Sequence, residues 1–135
     1  MILAEAPGAA LWAAERLGCT FVPPYVAIAV LDDDYTMRGA AVFNDYADSN
    51  VEMTCTGSHW VTPQVAHELA AYCFDTLGCQ RVTLRTRKSK RDVRAMILRL
   101  GAKQEGTLRR WYGNEDAILY GLLKDECRFY KGQKP

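Results

Sequence analysis

We expect neither a membrane-spanning segment nor a leader in this sequence. No run of apolar residues approaches the roughly 20 that cross a bilayer as a helix. The N-terminus has no basic region followed by an apolar segment and a cleavage site. We therefore expect no membrane partner and a cytoplasmic location for this 135-residue chain.

Net charge is nearly absent as well. The 17 lysines and arginines are balanced by 16 aspartates and glutamates, which gives a formal charge of +1. Proteins that bind nucleic acid are usually strongly basic, so we do not expect a nucleic-acid partner. Basic residues are nevertheless concentrated between Arg81 and Arg110, where they form a local cationic stretch.

Paired cysteines are also missing. The cysteines are odd in number and none belongs to a CxxC pair, and a chain of this length folds without disulfides. We expect reduced thiols, mostly in the core. On a helix His67 and Cys73 would lie on different faces, and no other pair has the spacing of metal ligands, so we predict no metal site. The five cysteines are Cys19, Cys55, Cys73, Cys79 and Cys127.

What is present is the composition of an ordinary globular protein. Apolar residues make up 49% of the chain and charged residues 24%, which excludes a disordered or fibrous protein. The length suits one hydrophobic core and is too short for two. We therefore expect residues 1–135 to form a single domain.

The first half of the chain reads as a short helix followed by three strands. Strong helix formers at Ala9–Leu17 end at Gly18, which suits a left-handed helix cap. Apolar and alternating segments at Tyr25–Leu31, Gly39–Tyr46 and Val51–Thr56 are separated by turn residues, which predicts an antiparallel meander.

The second half alternates helices and strands. Thr62 and Pro63 form a good helix start, and apolar residues four apart predict a helix to Leu77, with Gly78 as its end. The remaining predicted elements are a strand at Arg81–Thr86, a helix at Lys90–Leu100 and strands at Ala102–Trp111 and Ala117–Leu123.

Three segments of the second half carry a family likeness. They read TPQVAHELAAYCFDTLGCQRVTLRT, LRLGAKQEGTLRR, in which Ala102 replaces the usual Phe, and DAILYGLLKDEC. Together they resemble the GCN5-related N-acetyltransferases, especially the branch that acetylates ribosomal-protein N-termini. The last segment also resembles small acetyltransferase-like proteins encoded by bacteriophages.

The resemblance implies both a fold and an activity. The fold is α/β (α+β), with a mixed, mostly antiparallel sheet of about six strands flanked by three to four helices. The activity is transfer of acetyl from acetyl-CoA to a primary amine of a protein N-terminus, a lysine or a small molecule. The setting it implies is a bacterial cytoplasm, with a phage gene as one origin.

The resemblance also implies where acetyl-CoA binds. A loop leads into a helix whose first free amides face the pyrophosphate. The family loop reads Q/R-x-x-G-x-G/A, whereas this chain has Thr54 at the first position, keeps Gly57 and has His59 at the last. We interpret His59 as a contact to the cofactor, with surface packing as the alternative. The predicted loop residues are Thr56, Gly57, Ser58, His59, Trp60, Val61 and Thr62.

A second cofactor contact is expected at the start of the next helix. The family commonly has Asn there, and this chain has Lys90 followed by Arg91. These cations could lie against the phosphates of the cofactor, where partial burial strengthens the attraction. The alternative is a solvated basic loop.

Acetyl transfer to an amine needs a base, and Glu52 is the candidate. Family members often place a carboxylate on the third meander strand, where it acts directly or through water. The alternative is that Glu52 belongs to the solvent face of an alternating strand. The resemblance also implies that the Ala102–Trp111 strand lines the acceptor side, with Glu105, Arg109 and Tyr112 on the substrate side; an exposed ion pair between Glu105 and Arg109 is the alternative.

The usual acid for the leaving thiolate is missing. The positions that hold Tyr or Ser in relatives hold Ile97 and Val93, and neither can donate a proton. Protonation then comes from water or from a substitute, or efficient catalysis has been lost. The substitutes in the sequence are Tyr72, Cys73, Tyr112 and Tyr120.

These departures keep two other functions open. The chain could be a catalytically weak acetyltransferase-like module that binds a protein or nucleic acid through its basic edge. It could also modify a nucleobase amine, although the net charge disfavours this. Residues Cys127–Pro135 could form a homodimer contact or a frayed end.

Overall fold

The computed structural model describes residues 1–130, so the last five residues of the predicted C-terminal contact lie outside it. No helix in this range is long and apolar enough to cross a membrane. The elements are β1 (Ile2–Glu5), α1 (Pro7–Leu17), β2 (Val26–Leu31), β3 (Met37–Ala47), β4 (Asn50–Gly57), α2 (Pro63–Ala71), a π-helical turn (Tyr72–Thr76), β5 (Arg81–Arg87), α3 (Arg91–Arg99), β6 (Lys103–Leu108) and β7 (Ala117–Leu123).

The seven strands form one sheet in the order β1-β2-β3-β4-β5-β7-β6. All neighbours are antiparallel except β4 and β5, which are parallel. These two strands pair at only three positions, the last being Glu52 with Thr83. Beyond that point β4 continues to Gly57 and β5 to Arg87 without pairing to each other. The sheet therefore has a gap at its centre.

The two faces of the sheet are covered differently. On one face α1 packs against β2 and β3, where alanines on both sides allow a close approach. On the other face α2, the π-helical turn and α3 cover a larger core that includes Phe43, Leu69, Phe74 and Tyr120. Because α1 does not reach β7 and β6, part of the first face stays open around the gap.

The structure confirms the mixed, mostly antiparallel fold, with three differences. The predictions missed β1, which is only four residues long and half exposed; it pairs with β2 in antiparallel register from Ile2 and Leu31. The helix predicted to Leu77 becomes a π-helical turn from Tyr72. The strand predicted to Trp111 ends at Leu108, where the chain turns. Short edge strands and strand ends carry little periodic signal.

Two glycines permit the burial of Trp60, which is only 6% exposed. A Cβ atom at Gly39 would overlap the indole ring. One at Gly57 would overlap both the ring and the carbonyl oxygen of Arg38. The indole can therefore lie flat against β3 and β4 only because neither position has a side chain.

Gly39→Ala should lower the free energy of unfolding by about 1–3 kcal/mol, because overpacking displaces a buried ring. Urea denaturation measures this loss. Gly121→Ala is the matched control, since the atoms nearest to its Cβ would be the flexible ends of Arg81 and Glu105, and it should cost less than about 1 kcal/mol. Equal losses for the two variants would contradict the steric role of Trp60.

Candidate functional site

A cavity of about 650 Å³ lies where β4 and β5 separate. Its walls include Leu69 of α2 and Ile97 of α3 on one face of the sheet. They also include Arg16 of α1, Asn44 of β3 and Arg85 of β5, which lie on the other face. The cavity therefore connects the two faces through the sheet.

The predicted cofactor loop lies between β4 and α2, beside this cavity. Ser58 and His59 are exposed and do not line it. Thr62 begins α2, and its Oγ1 accepts a hydrogen bond from the Val65 amide at 3.2 Å, which confirms the predicted helix start. The loop residues that line the cavity are Thr56, Gly57, Trp60 and Val61.

Some of the backbone amides in the loop are already engaged. The Ser58 amide donates to the Arg38 carbonyl at 2.9 Å, and the Thr62 amide donates to the Trp60 carbonyl at 3.1 Å. Pro63 has no amide hydrogen to offer. An anion at this helix start would therefore find fewer free donors than at an uncapped helix.

His59 occupies a backbone conformation that favours glycine. Its φ is +49°, and a non-glycine residue in the left-handed region costs about 1 kcal/mol. The family places Gly or Ala at this position. The side chain is exposed, so no core packing at this position offsets the cost.

His59→Gly should be more stable than His59→Ala by about 1 kcal/mol, because only glycine adopts the positive φ freely. Thermal unfolding of the two variants measures the difference. The same pair at Ser58, where φ is not positive, should show alanine equal to or better than glycine. The same order at both positions would contradict a strained His59.

The start of α3 presents one of its two predicted cations to the cavity. Lys90 lines the cavity and Arg91 does not, although both are exposed. The preceding loop is held by Glu115, whose carboxylate accepts from the Ser89 amide at 2.7 Å and from Arg87 at 3.3 Å. These hydrogen bonds, that of Ser89 first, hold the pKa of Glu115 below its usual range. The loop that carries Lys90 is thus fixed to the start of β7.

Glu52 lies at the last paired position of β4 and β5. Its side chain forms an ion pair with Arg85. Burial raises the pKa of Glu52, and the nearby Asp45 carboxyl raises it further, while Arg85 opposes both. Glu52 does not itself line the cavity, but its strand partner Asn44 and its ion-pair partner Arg85 do. Glu52 therefore lies behind Asn44 and Arg85, in contact with residues that line the cavity.

The residues at the usual acid positions, Val93 and Ile97, line the cavity as apolar walls. Among the substitutes, Cys73 and Tyr112 line it, and burial raises the pKa of both, so both remain protonated at neutral pH. Tyr120 is fully buried on the helix-covered face, where its hydroxyl accepts from Arg94 Nε at 3.0 Å. Of the three candidate tyrosines, Tyr112 is the one that lines the cavity, whereas Tyr72 and Tyr120 do not.

The three predicted substrate-side residues are not brought together. Glu105 forms a two-bond ion pair with Arg81, at 2.6 and 2.9 Å, that lies across Gly121. Arg109 is exposed beyond the end of β6 and lines a second, separate cavity. Only Tyr112 lines the cavity between β4 and β5. The Glu105 ion pair is therefore with Arg81 and not with Arg109.

Sequence reasoning missed the arginines on the open face of the sheet. Arg85 lies over the Trp111 ring at 4.5 Å, and Arg87 lies over the Tyr112 ring at 4.2 Å. The sequence feature that could have identified these arginines is the alternation along β5, where every second residue from Arg81 is polar and faces away from the core. Without the position of the gap, that alternation indicated only a half-exposed strand.

The cysteines are free thiols, and Cys73, Cys79 and Cys127 are buried, as predicted. Burial raises the pKa of Cys55, which also lines the cavity, to about 12. Within residues 1–130 no three His, Cys, Asp or Glu side chains group in a way that could hold a metal ion.

Comparison with known proteins identifies the fold. No family model matches the chain, and no curated protein is significantly similar to it in sequence. A point mutant of spermidine N-acetyltransferase SpeG from Vibrio cholerae matches with a TM-score of 0.78 at 10% identity, over 98% of this chain and 99% of that chain. SpeG from Vibrio cholerae in complex with manganese ions gives 0.74 at 12% identity, over 92% of each chain.

A dodecameric spermidine N-acetyltransferase from Vibrio cholerae gives a TM-score of 0.67 at 13% identity, over 75% of this chain and 66% of that chain. These neighbours are GCN5-related N-acetyltransferases, and the chain has their fold. At such low identity the likeness shows the fold alone.

Proposed function

We propose that the chain is an acetyl-CoA-dependent N-acetyltransferase that acts on a primary amine. The observation that supports this most directly is the cavity through the sheet at the separation of β4 and β5. A donor can enter from the face of α2 and α3 and an acceptor from the face of α1. The two would then meet in the gap between β4 and β5, where proximity favours their reaction.

The residues beside the cavity fit the donor in part. Gly57 lines the cavity, but the Trp60 indole and the Arg38 carbonyl already occupy the space where its side chain would be, so this glycine serves the packing of Trp60. Lys90 offers a cation for the phosphates, and the unpaired edges of β4 and β5 offer backbone groups for an amide-containing arm. Acetyl-CoA supplies the activated acetyl group as a thioester.

Lys90→Glu should weaken acetyl-CoA binding about tenfold, a change of about 1.4 kcal/mol, because it replaces attraction to the phosphates with repulsion. Isothermal titration calorimetry measures the affinity. Arg91→Glu makes the same charge change one residue away, outside the cavity lining, and should change the affinity less than about twofold. Equal losses of affinity in the two variants would indicate a long-range effect of net charge. An unchanged affinity in Lys90→Glu would exclude a contact between Lys90 and the phosphates.

Two side chains could move the protons. Glu52 would accept a proton from the amine through water, because it lies one contact from the cavity and its raised pKa makes it a better base than an ordinary carboxylate. Tyr112 would donate to the leaving thiolate, because it lines the cavity and its phenol is protonated at neutral pH. The bond between acetyl and sulfur breaks as the bond to nitrogen forms.

Glu52→Gln should lower kcat by about 100-fold or more, since the amide cannot accept the proton. A base acts when deprotonated, so the wild-type rate should rise with pH through the pKa of Glu52, above the usual range for glutamate. The variant should lose that acidic limb. Initial rates of thioester loss across pH measure both effects.

Glu126→Gln is the control, because Glu126 is also ion-paired, to Lys103 at 2.6 Å, but Lys103 does not line the cavity, whereas Arg85, the partner of Glu52, does. It should keep the wild-type rate and profile. An acidic limb that persists in Glu52→Gln would assign the base elsewhere.

A second candidate function is a binding module with weak catalysis. Two observations favour it. The usual acid positions hold apolar residues. In the predicted cofactor loop the Trp60 side chain fills the space at Gly57, and the Ser58 and Thr62 amides already donate hydrogen bonds within the protein. Calorimetry separates the two functions: acetyl-CoA binding followed by transfer supports the enzyme, and binding with hydrolysis but no transfer supports the module.

Several finer predictions remain proposals. These are a single domain over residues 1–135, a cytoplasmic location in a bacterial cell, a phage origin and the likeness to the ribosomal-protein branch. Self-association is also a proposal, and sedimentation analysis tests it; one structural neighbour is a dodecamer.

A further inference from the structure

We propose that the acceptor amine carries an anionic group, a carboxylate or a phosphate, which Arg16, Arg85 and Arg87 bind at the mouth of the cavity. We refer to these three residues as the arginine rim. The inference rests on the proposed acetyl transfer and names the class of its acceptor.

The arginine rim comes from separate parts of the chain and converges on one cavity. Arg16 lies in the last turn of α1, and Arg85 and Arg87 lie on β5 beyond its pairing with β4. All three line the cavity. The two strand residues alternate with Thr86, which is buried on the helix-covered face. The rim therefore lies on the open face, where the acceptor would enter.

The two glutamates that pair with the rim are less exposed than their arginine partners. The Arg85 side chain is 29% exposed and its partner Glu52 only 16%. The Arg87 side chain is 39% exposed and its partner Glu115 only 23%. Neither glutamate lines the cavity. An incoming molecule therefore meets the guanidinium groups first.

Arg16 adds a charge that no carboxylate balances in the described part of the chain. Its Nε donates to Thr56 Oγ1 at 3.3 Å, and its guanidinium lies over the Trp12 ring at 4.9 Å. Among residues 1–130 no carboxylate oxygen lies within ion-pair distance of it. The rim thus has three cations and two paired glutamates, and the exposed carboxyl of Asp45 lies beside one of these, Glu52.

The rim is held in place before any ligand arrives. Each of its arginines lies over an aromatic ring, and this cation–π contact restrains the position of the guanidinium group. A guanidinium has five donors, and its planar fork matches a carboxylate or phosphate. Fixed donors lose little entropy on binding an anion.

A polyamine does not fit this mouth. Spermidine would bring several positive charges against three arginines, and like charges brought together oppose binding. The carboxylate that does line the cavity is Asp92, in the first turn of α3 on the helix-covered face. The rim therefore selects against the acceptor on which the structural neighbours act.

The test compares acceptors that differ only in the anionic group. O-phosphoethanolamine is compared with ethanolamine, and β-alanine with its amide, with spermidine as the polycation. Thioester loss gives kcat/KM, and tryptophan fluorescence with saturating CoA gives acceptor affinity without turnover. We expect an anionic member to exceed its neutral partner about tenfold and spermidine to be the weakest. The phosphate and carboxylate pairs show which anion the rim prefers.

Arg16→Gln should reduce that preference several-fold while the acetyl-CoA affinity from calorimetry stays unchanged. Arg99→Gln, an exposed arginine at the far end of α3, should change neither. Equal values within both pairs, in rate and in binding, would overturn the proposal, as would a preference for spermidine. If the wild type does not bind acetyl-CoA, the proposed function is refuted. That result is distinct from a wild type that binds acetyl-CoA but shows no preference for an anionic acceptor.

Discussion

The early separation of two parallel strands is the constraint on which the rest of the structure depends. β4 keeps its hydrogen bonds to β3, and β5 keeps its own to β7, so each strand is unpaired along one edge only. Unpaired backbone groups inside a protein are costly unless water or a ligand satisfies them. A gap in the middle of a sheet is thus tolerable where something polar can enter it, and here the cavity gives that access from both faces.

Electrostatic organisation follows from the same gap. Beyond the last β4–β5 pair, alternate residues of β5 no longer face a neighbouring strand on one side, and arginines occupy those positions. Their carboxylate partners come from opposite directions: Glu52 from β4 and Glu115 from the turn before β7. These carboxylates are partly exposed, and their ion pairs restrain the arginines.

Much of the fold could be predicted from sequence because its signals are local. The Thr62 and Pro63 pair marks the start of α2, and the alternation on β4 and β5 marks two strands. The gap could not be predicted, since it depends on where two strands stop pairing, and no local pattern records that. The same limit applies to the site: the sequence drew attention to Tyr112 and Lys90, which both line the cavity, but not to Arg16, which reaches it from a helix distant in sequence.

The buried indole of Trp60 has a consequence beyond packing. It lies where a more open loop would leave room, wedged against Gly39 and Gly57 at the root of the loop before α2. The packing of the Trp60 indole therefore sets the shape of the loop, and a bound ligand does not. At this end of the cavity a ligand would meet a preformed wall, so its shape would decide whether it binds. At the opposite mouth, which charged side chains line, the charge of the ligand would decide instead.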